Sequence, residues 1–215
     1  MATAVSTQAP ALAISALDIQ TMVVPIVGIS PLIMHNFSEK SKRQMLEAMQ
    51  GVKKQKVARE PERDYEQAFY RIFHEDGSQG YGFPVLGFKA ATTSAARFYD
   101  KSVSMTALRQ LLFFEGVRSA GDPQELVEIH GAPHMREDVV RVGMGTADLR
   151  YRPEFPDWTA SLVVRFVASS ISQESVLSLI NAGGFGVGVG EWRPEKSGQN
   201  GQYRVDDSRA IEIVR

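Results

Sequence analysis

This 215-residue sequence predicts an α+β fold built on a mainly antiparallel sheet. Two observations point there. Short apolar runs of strand character are interrupted by a few helical stretches, in the order strand, helix, strands, helix, strand. In addition, a tight turn at Glu75-Asp76-Gly77-Ser78 sits between two such runs, as a hairpin requires. At 43% hydrophobic and 23% charged, the chain has the composition of a globule able to bury a core.

In chain order, residues 1–16 are small and uncharged and lack the basic start of a signal peptide, so they read as a loose arm before one domain over 17–215. Leu17 to Val27 carries Ile19, Met22, Val23, Val24, Ile26 and Val27 and reads as a strand, with Pro25 suggesting an edge or a bend. Ser30-Pro31 ends it. Ser38 to Gln50 reads as a helix with Ser38 as N-cap and Met45, Leu46 and Met49 on its apolar side. Tyr65 to Phe73 and Tyr81 to Gly87 read as the two arms of the hairpin, and Phe88 to Tyr99 as an alanine-rich helix. Met105 to Phe114 is apolar on most sides and reads as a buried helix-to-strand unit. Glu125 to Ile129 and Val139 to Val142 read as short strands. Ala147 to Arg152 and Trp158 to Ala168 read as a long hairpin around residues 153–157, and Tyr203 to Val205 with Ile211 to Val214 as strands closing the sheet.

The densest signal is Gly183-Gly184-Phe185-Gly186-Val187-Gly188-Val189-Gly190-Glu191-Trp192-Arg193-Pro194. A phosphate-binding loop needs a strand before its glycines and a helix after them. Here the order is reversed: Ser172 to Ala182 is helical, with Ser172 as N-cap, and residues 195–202 form a polar turn. Two readings stay open. Gly183 or Gly184 caps the helix and leads into a glycine-kinked strand, or the run is a backbone-rich nucleic-acid contact with Trp192 for stacking and Arg193 for phosphate.

Charge adds a second signal. The chain carries a net charge of −1, so any polyanion must bind a local patch. Residues 40–59 supply one, with Lys40, Lys42, Arg43, Lys53, Lys54, Lys56 and Arg59 against Glu47 alone. There are no cysteines, hence no disulfide and no thiolate metal site, which fits a reducing cytoplasm. No apolar run reaches membrane-spanning length. His130 and His134 have the spacing of a helical metal pair, but Gly131 and Pro133 place them in a turn, so no metal or other cofactor is expected. Glu137 and Asp138 face opposite ways if they lie in a strand. His35 is the candidate general acid or base. Tyr65, Phe69, Tyr70, Tyr81, Phe83 and Phe88 read as core and hairpin pairs.

Three segments carry a family resemblance. Ile29-Ser30-Pro31-Leu32-Ile33-Met34-His35, at the end of the first strand, resembles the "SPLHIG" opening of RAMP proteins, the Cas7-type backbone subunits of CRISPR effectors. Residues 83–96 (Phe83-Pro84-Val85-Leu86-Gly87-Phe88-Lys89 and onward) are similar to their "IPGSSLKGALRSA" element, with Lys89 at the basic position. The glycine run resembles their C-terminal G-rich loop. The resemblance implies a ferredoxin-like, RRM-type core, a basic thumb-like insertion at 38–64, a groove for single-stranded RNA and self-stacking into a homo-oligomer or filament. Family members that cut target RNA carry an aspartate shortly after the first-strand motif. Here Asn36, Phe37 and Ser38 stand there, with Glu39 the nearest acid.

The expected function is therefore non-catalytic binding of single-stranded nucleic acid, RNA before DNA, in a bacterial or phage-infected cytoplasm. Lys40, Lys42, Arg43, Lys53, Lys54 and Lys56 would release counterions. Lys89, Arg97 and Arg193 would position phosphates, Trp192 would stack, and Gly184, Gly186 and Gly188 would offer backbone N–H groups. The rivals are a phage-type assembly protein that binds no nucleic acid and a RAMP-type endoribonuclease using His35.

Overall fold

The structure is a computed structural model that describes residues 15–36, 43, 46, 47, 49–51, 60–100, 103–119, 123–142 and 146–214. Its spine is β1 (Ile19–Gly28), which runs antiparallel to β10 (Thr159–Val167) from Ile19↔Val167 to Val27↔Thr159. Both strands alternate. Met22, Val24 and Ile26 of β1 and Ala160, Leu162, Val164 and Phe166 of β10 are buried. Period-two burial of this kind aims one face of a sheet at the core.

The larger sheet runs β11-β1-β10-β7-β4-β3, made of β3 (Tyr70–Phe73), β4 (Gln79–Pro84), β7 (Glu125–His130) and β11 (Tyr203–Val205) beside the central pair. Three short strands attach to it: β5 (Leu112–Glu115) on β10, β6 (Val117–Arg118) on β7 and β12 (Glu212–Val214) on β1. A second sheet, β2-β9-β8, joins β2 (Leu32–Ile33), β9 (Thr146–Phe155) and β8 (His134–Val142). The fold is thus α+β and antiparallel in every pairing.

Four helices complete the described residues' longer elements: α1 (Pro61–Gln67), α2 (Val85–Ser94), α3 (Met105–Leu111) and α4 (Gln173–Gly186). A 3₁₀ turn, Ala95–Phe98, continues α2. Helix α4 begins where expected, with Ser172 Oγ accepting the Ser175 N–H at 3.2 Å. None of these helices is long and apolar enough to cross a membrane.

Four sequence expectations are corrected. Pro25 lies inside the sheet, not at its edge. On that flank β11 pairs with residues 26–28 and β12 with 21–23, so Pro25 falls in the gap, where its missing N–H breaks no ladder bond. Residues 65–67 are helical rather than extended, because Pro61 at the first turn with Glu62 and Asp64 starts α1. Tyr65 and Phe69, four apart, then meet edge to face at 5.0 Å. The strand at 146–155 pairs with β8 and β2, not with β10. Buried Phe155 and Trp158 carry the chain across from one sheet to the other, and Trp158 Nε1 donates to the Ser30 carbonyl at 2.9 Å. Finally, α4 does not stop at Gly183 or Gly184 but runs through Gly186, with Val187 as its cap. Packing explains why glycine is tolerated there. A Cβ on Gly183 would lie 2.7 Å from the Ala91 carbonyl of α2, and one on Gly184 would overlap the Tyr203 carbonyl of β11. Close helix approach outweighs the poor helix propensity of glycine.

Candidate nucleic-acid interface

Strand β9 carries a charge at every second residue from Asp148 to Glu154. Arg136 and Asp138 face Arg152 and Arg150 across the ladder, with Asp148 and Glu154 on the same strand face as the two arginines. Arg136 donates from Nε to Asp138 Oδ1 and from NH1 to Glu154 Oε1, both at 2.9 Å. Those bonds, Asp138 first, hold its guanidinium above its ordinary pKa. Arg152 is 2% exposed. Its NH1 lies 3.5 Å from Asp138 Oδ2 and 3.9 Å from Glu191 Oε2. Burial lowers its pKa, yet a guanidinium remains a cation in any protein setting.

The glycine run reaches the same face from the other side. After α4 the chain turns through Gly188 and Gly190, both at positive φ, and the Glu191 N–H donates to the Ile33 carbonyl of β2 at 3.0 Å. That bond pins Glu191 above the hairpin. A Cβ on Gly190 would sit 2.5 Å from the Ile33 carbonyl oxygen, so only glycine lets the loop lie this close. Trp192 follows with φ 54°, a left-handed conformation that costs a bulky residue on the order of 1–3 kcal/mol. Its carbonyl is held by the Asn200 N–H at 3.0 Å, and its side chain stays 44% exposed.

Between hairpin and loop lies a cleft of about 280 Å³, lined by Val140, Arg141, Arg150, Arg152, Glu191, Trp192, Arg193 and Lys196. Five cations and one carboxylate thus surround an exposed indole. Some of that charge is offset within the fold. Arg193 NH2 bonds Glu195 at 3.0 Å and Arg150 Nε lies 3.6 Å from Asp148. Arg141 and Lys196 form no ion pair among the described residues and stand exposed at the rim.

His35 lies beside the cleft, its Nε2 3.4 Å from Arg150 NH1. Burial, then Arg152 and Arg150, push the imidazole below its ordinary pKa, with Glu191 pulling weakly the other way. It is therefore neutral at pH 7. A second cavity of about 210 Å³ lies behind the loop, among His35, Tyr70, Phe83, α2 and residues 187–191. The two cavities share Glu191 and Arg193.

The residues expected to bind are distributed unevenly over this surface. Trp192 and Arg193 line the arginine cleft, and Gly188 lines the cavity behind it. Gly184 and Gly186 are helical; the first packs on Tyr203, the second against the Phe98 ring. Four of the loop's N–H groups are spent within the fold: Val187 and Gly188 donate to the Gly183 carbonyl, Val189 to that of Gly201 and Glu191 to that of Ile33. The expectation that the glycine run offers a row of backbone N–H groups is corrected accordingly. Lys89 does not line the cleft; its ammonium sits 4.5 Å over the Phe113 ring, and burial lowers its pKa. Arg97 reaches Glu195 at 3.7 Å. Arg43 pairs with Glu47 one helical turn on, at 3.3 Å. Lys40, Lys42, Lys53, Lys54 and Lys56 lie outside the described residues.

Sequence reasoning passed over Arg141, Arg150, Arg152 and Lys196. The signal was present as strict alternation of charge in Asp148-x-Arg150-x-Arg152-x-Glu154, a pattern that puts four charged side chains on one strand face.

No family model and no curated protein matches the chain. Among solved structures, the crystal structure of Cmr6 from Pyrococcus furiosus is similar with a TM-score of 0.41 and 9% identity, covering 89% of this chain and 100% of that one. The cryo-EM structure of the type III-B Cmr-beta bound to cognate target RNA is similar with a TM-score of 0.42 and 10% identity, over 92% of this chain and 61% of that one.

Proposed function

We propose that this protein binds single-stranded nucleic acid, RNA before DNA, in the cleft between the β8–β9 hairpin and the loop after α4, and does not cut it. The observation that carries the reading is the joining of an exposed, positive-φ Trp192 to Arg141, Arg150, Arg152, Arg193 and Lys196 in one cleft. Single strands are held where cations track the phosphates and an aromatic face stacks a base. Phosphate contacts come from Arg141 and Lys196 at the rim, while Arg150 and Arg152 hold the floor positive. The basic thumb-like insertion at 38–64 that the motif resemblance implies, and self-association, belong to the same proposal.

Fluorescence anisotropy with labelled RNA and DNA oligonucleotides tests it. Binding at low salt should weaken steeply as salt rises. Trp192→Ala should weaken it about tenfold or more at every salt concentration, since stacking is worth about 1–3 kcal/mol per base. A folded protein that binds neither polymer at low salt would remove this reading in favour of an assembly role. Cleavage of the RNA that is lost in His35→Ala would replace it with the endoribonuclease reading.

A further inference from the structure

We infer that the 210 Å³ cavity behind the loop takes one nucleobase of the bound strand, and that the Glu191 carboxylate selects guanine there. The inference rests on the binding reading above and deepens it.

Size comes first. Pockets for drug-sized ligands span about 300–1,000 Å³. A cavity of about 210 Å³ suits a single flat heterocycle, not a nucleotide. Its walls fit a ring: Tyr70 and Phe83 offer aromatic surface, and Gly87, Ala90 and Ala91 of α2 a small-residue face. The neighbouring arginine cleft meets it at Glu191 and Arg193, so a base inserted in one leaves its ribose and phosphate in the other. Splaying a base out of a single strand into a pocket is how sequence is read in RNA.

Hydrogen bonding then decides which base. Several donors around the cavity are committed within the fold. Arg193 spends Nε and NH2 on Glu195 and NH1 on the Gly190 carbonyl. The Val187, Gly188, Val189 and Glu191 N–H groups each donate within the fold, as does the Tyr70 hydroxyl, to the His35 carbonyl at 3.4 Å. Acceptors remain. Glu195 is engaged by Arg193 and Arg97. Glu191 has a single ion-pair contact among the described residues, to Arg152 at the long distance of 3.9 Å, and its side chain is 42% exposed. An ionised carboxylate only accepts. Guanine alone presents two adjacent donors, N1–H and the N2 amino group, on one edge. Adenine and cytosine set an acceptor beside their amino group, and uracil flanks its N3–H with two carbonyls. Each of these would turn a lone pair toward the carboxylate.

A carboxylate inside a phosphate-binding cleft repels the backbone, so its place there calls for a compensating contact. The Arg152 guanidinium, 3.9 Å away, supplies one in the free protein; a guanine edge supplies a second in the complex.

The test uses the full chain and RNA oligonucleotides of about twelve nucleotides. Each is uridine throughout except for a central guanosine, inosine, adenosine, cytidine or uridine. The guanosine strand should bind about tenfold tighter than the others, the scale of one good bidentate contact. Inosine, which lacks the N2 amino group, should lose most of that gain. Glu191→Gln should erase the difference between guanosine and inosine while leaving the all-uridine strand bound as tightly or tighter. Equal binding of all five strands overturns the inference and leaves the binding proposal standing, whereas no binding of any strand removes both. Glu191→Gln that shifts all five by one factor, with a lowered melting temperature, assigns Glu191 to the support of Arg152 alone and overturns the selectivity.

Discussion

At residue scale, His35 sets the chemistry beside the cleft. Its imidazole stands below 6.5 in the folded protein because burial, Arg152 and Arg150 all oppose a proton. The unfolded chain, with an ordinary histidine, binds that proton first as pH falls. Stability therefore rises with pH between the depressed value and 6.5 and is lost as the solution is acidified through that window. Chemical denaturation from pH 7.5 to 5 should show this loss, and His35→Asn should flatten the part of the profile that His35 causes. An NMR titration placing the His35 midpoint at or above 6.5 would contradict the assignment. A neutral ring is also a better neighbour for Arg150 than an imidazolium, since two cations 3.4 Å apart would repel.

At the scale of elements, α4 and the turn after it show glycine used for approach rather than for flexibility. Gly184 touches backbone, the Tyr203 carbonyl, which cannot move without breaking the pairing of β11 with β1. Gly186 touches the ring of Phe98, an exposed side chain that can swing away. The two alanine substitutions should therefore separate. Gly184→Ala should cost about 3 kcal/mol or more, the upper range for overpacking, and Gly186→Ala about 1 kcal/mol or less, both read by urea denaturation. A gain of about 1 kcal/mol from both would show that helix propensity, and not contact, governs these sites.

Much at this scale was legible along the chain. The strand β1 and the Ser172 N-cap of α4 follow from local pattern, as does the helix-to-strand order of α3 and β5, although that unit is not buried as expected: Leu108 is the one buried residue of α3, and Phe113 is exposed. What local pattern could not supply was the partner of each strand. Residues 146–155 look equally able to fold back on the strand before or the strand after. In the structure β9 pairs with the whole length of β8, with Arg136 bonding Glu154 across the pair. The same gap hid the cleft. Trp192 and Arg193 announced themselves beside the glycines, whereas Arg141, Arg150 and Arg152 needed the hairpin to be paired and folded beneath the loop before they shared a site.

At the scale of the whole molecule, a net charge of −1 conceals a strongly uneven distribution. Five cations gather in one cleft. Salt dependence can separate those that contact phosphate from those that only set the local potential. For single strands each phosphate contact contributes about 0.7 to the slope of log K against log salt. The double variant Arg141→Ala/Lys196→Ala should therefore flatten that slope by about 1.4. Arg165→Ala, whose guanidinium pairs with Glu115 at 3.2 Å on the β10–β5 pair, should leave it unchanged. Equal effects from both would place the strand elsewhere on the surface.

Taken alone, the sequence determined the class of the fold, the start of α4 and the place of Trp192 and Arg193 just after the glycines, because apolar runs and capping act between near neighbours. Only the tertiary structure decided that Gly183 and Gly184 are packing surfaces, that the Val187, Gly188 and Val189 N–H groups are already spent, and that arginines of β9 lie beside Trp192 in one cleft. Those facts depend on residues far apart in the chain meeting within a few ångströms, and strand pairing, not local propensity, brings them there.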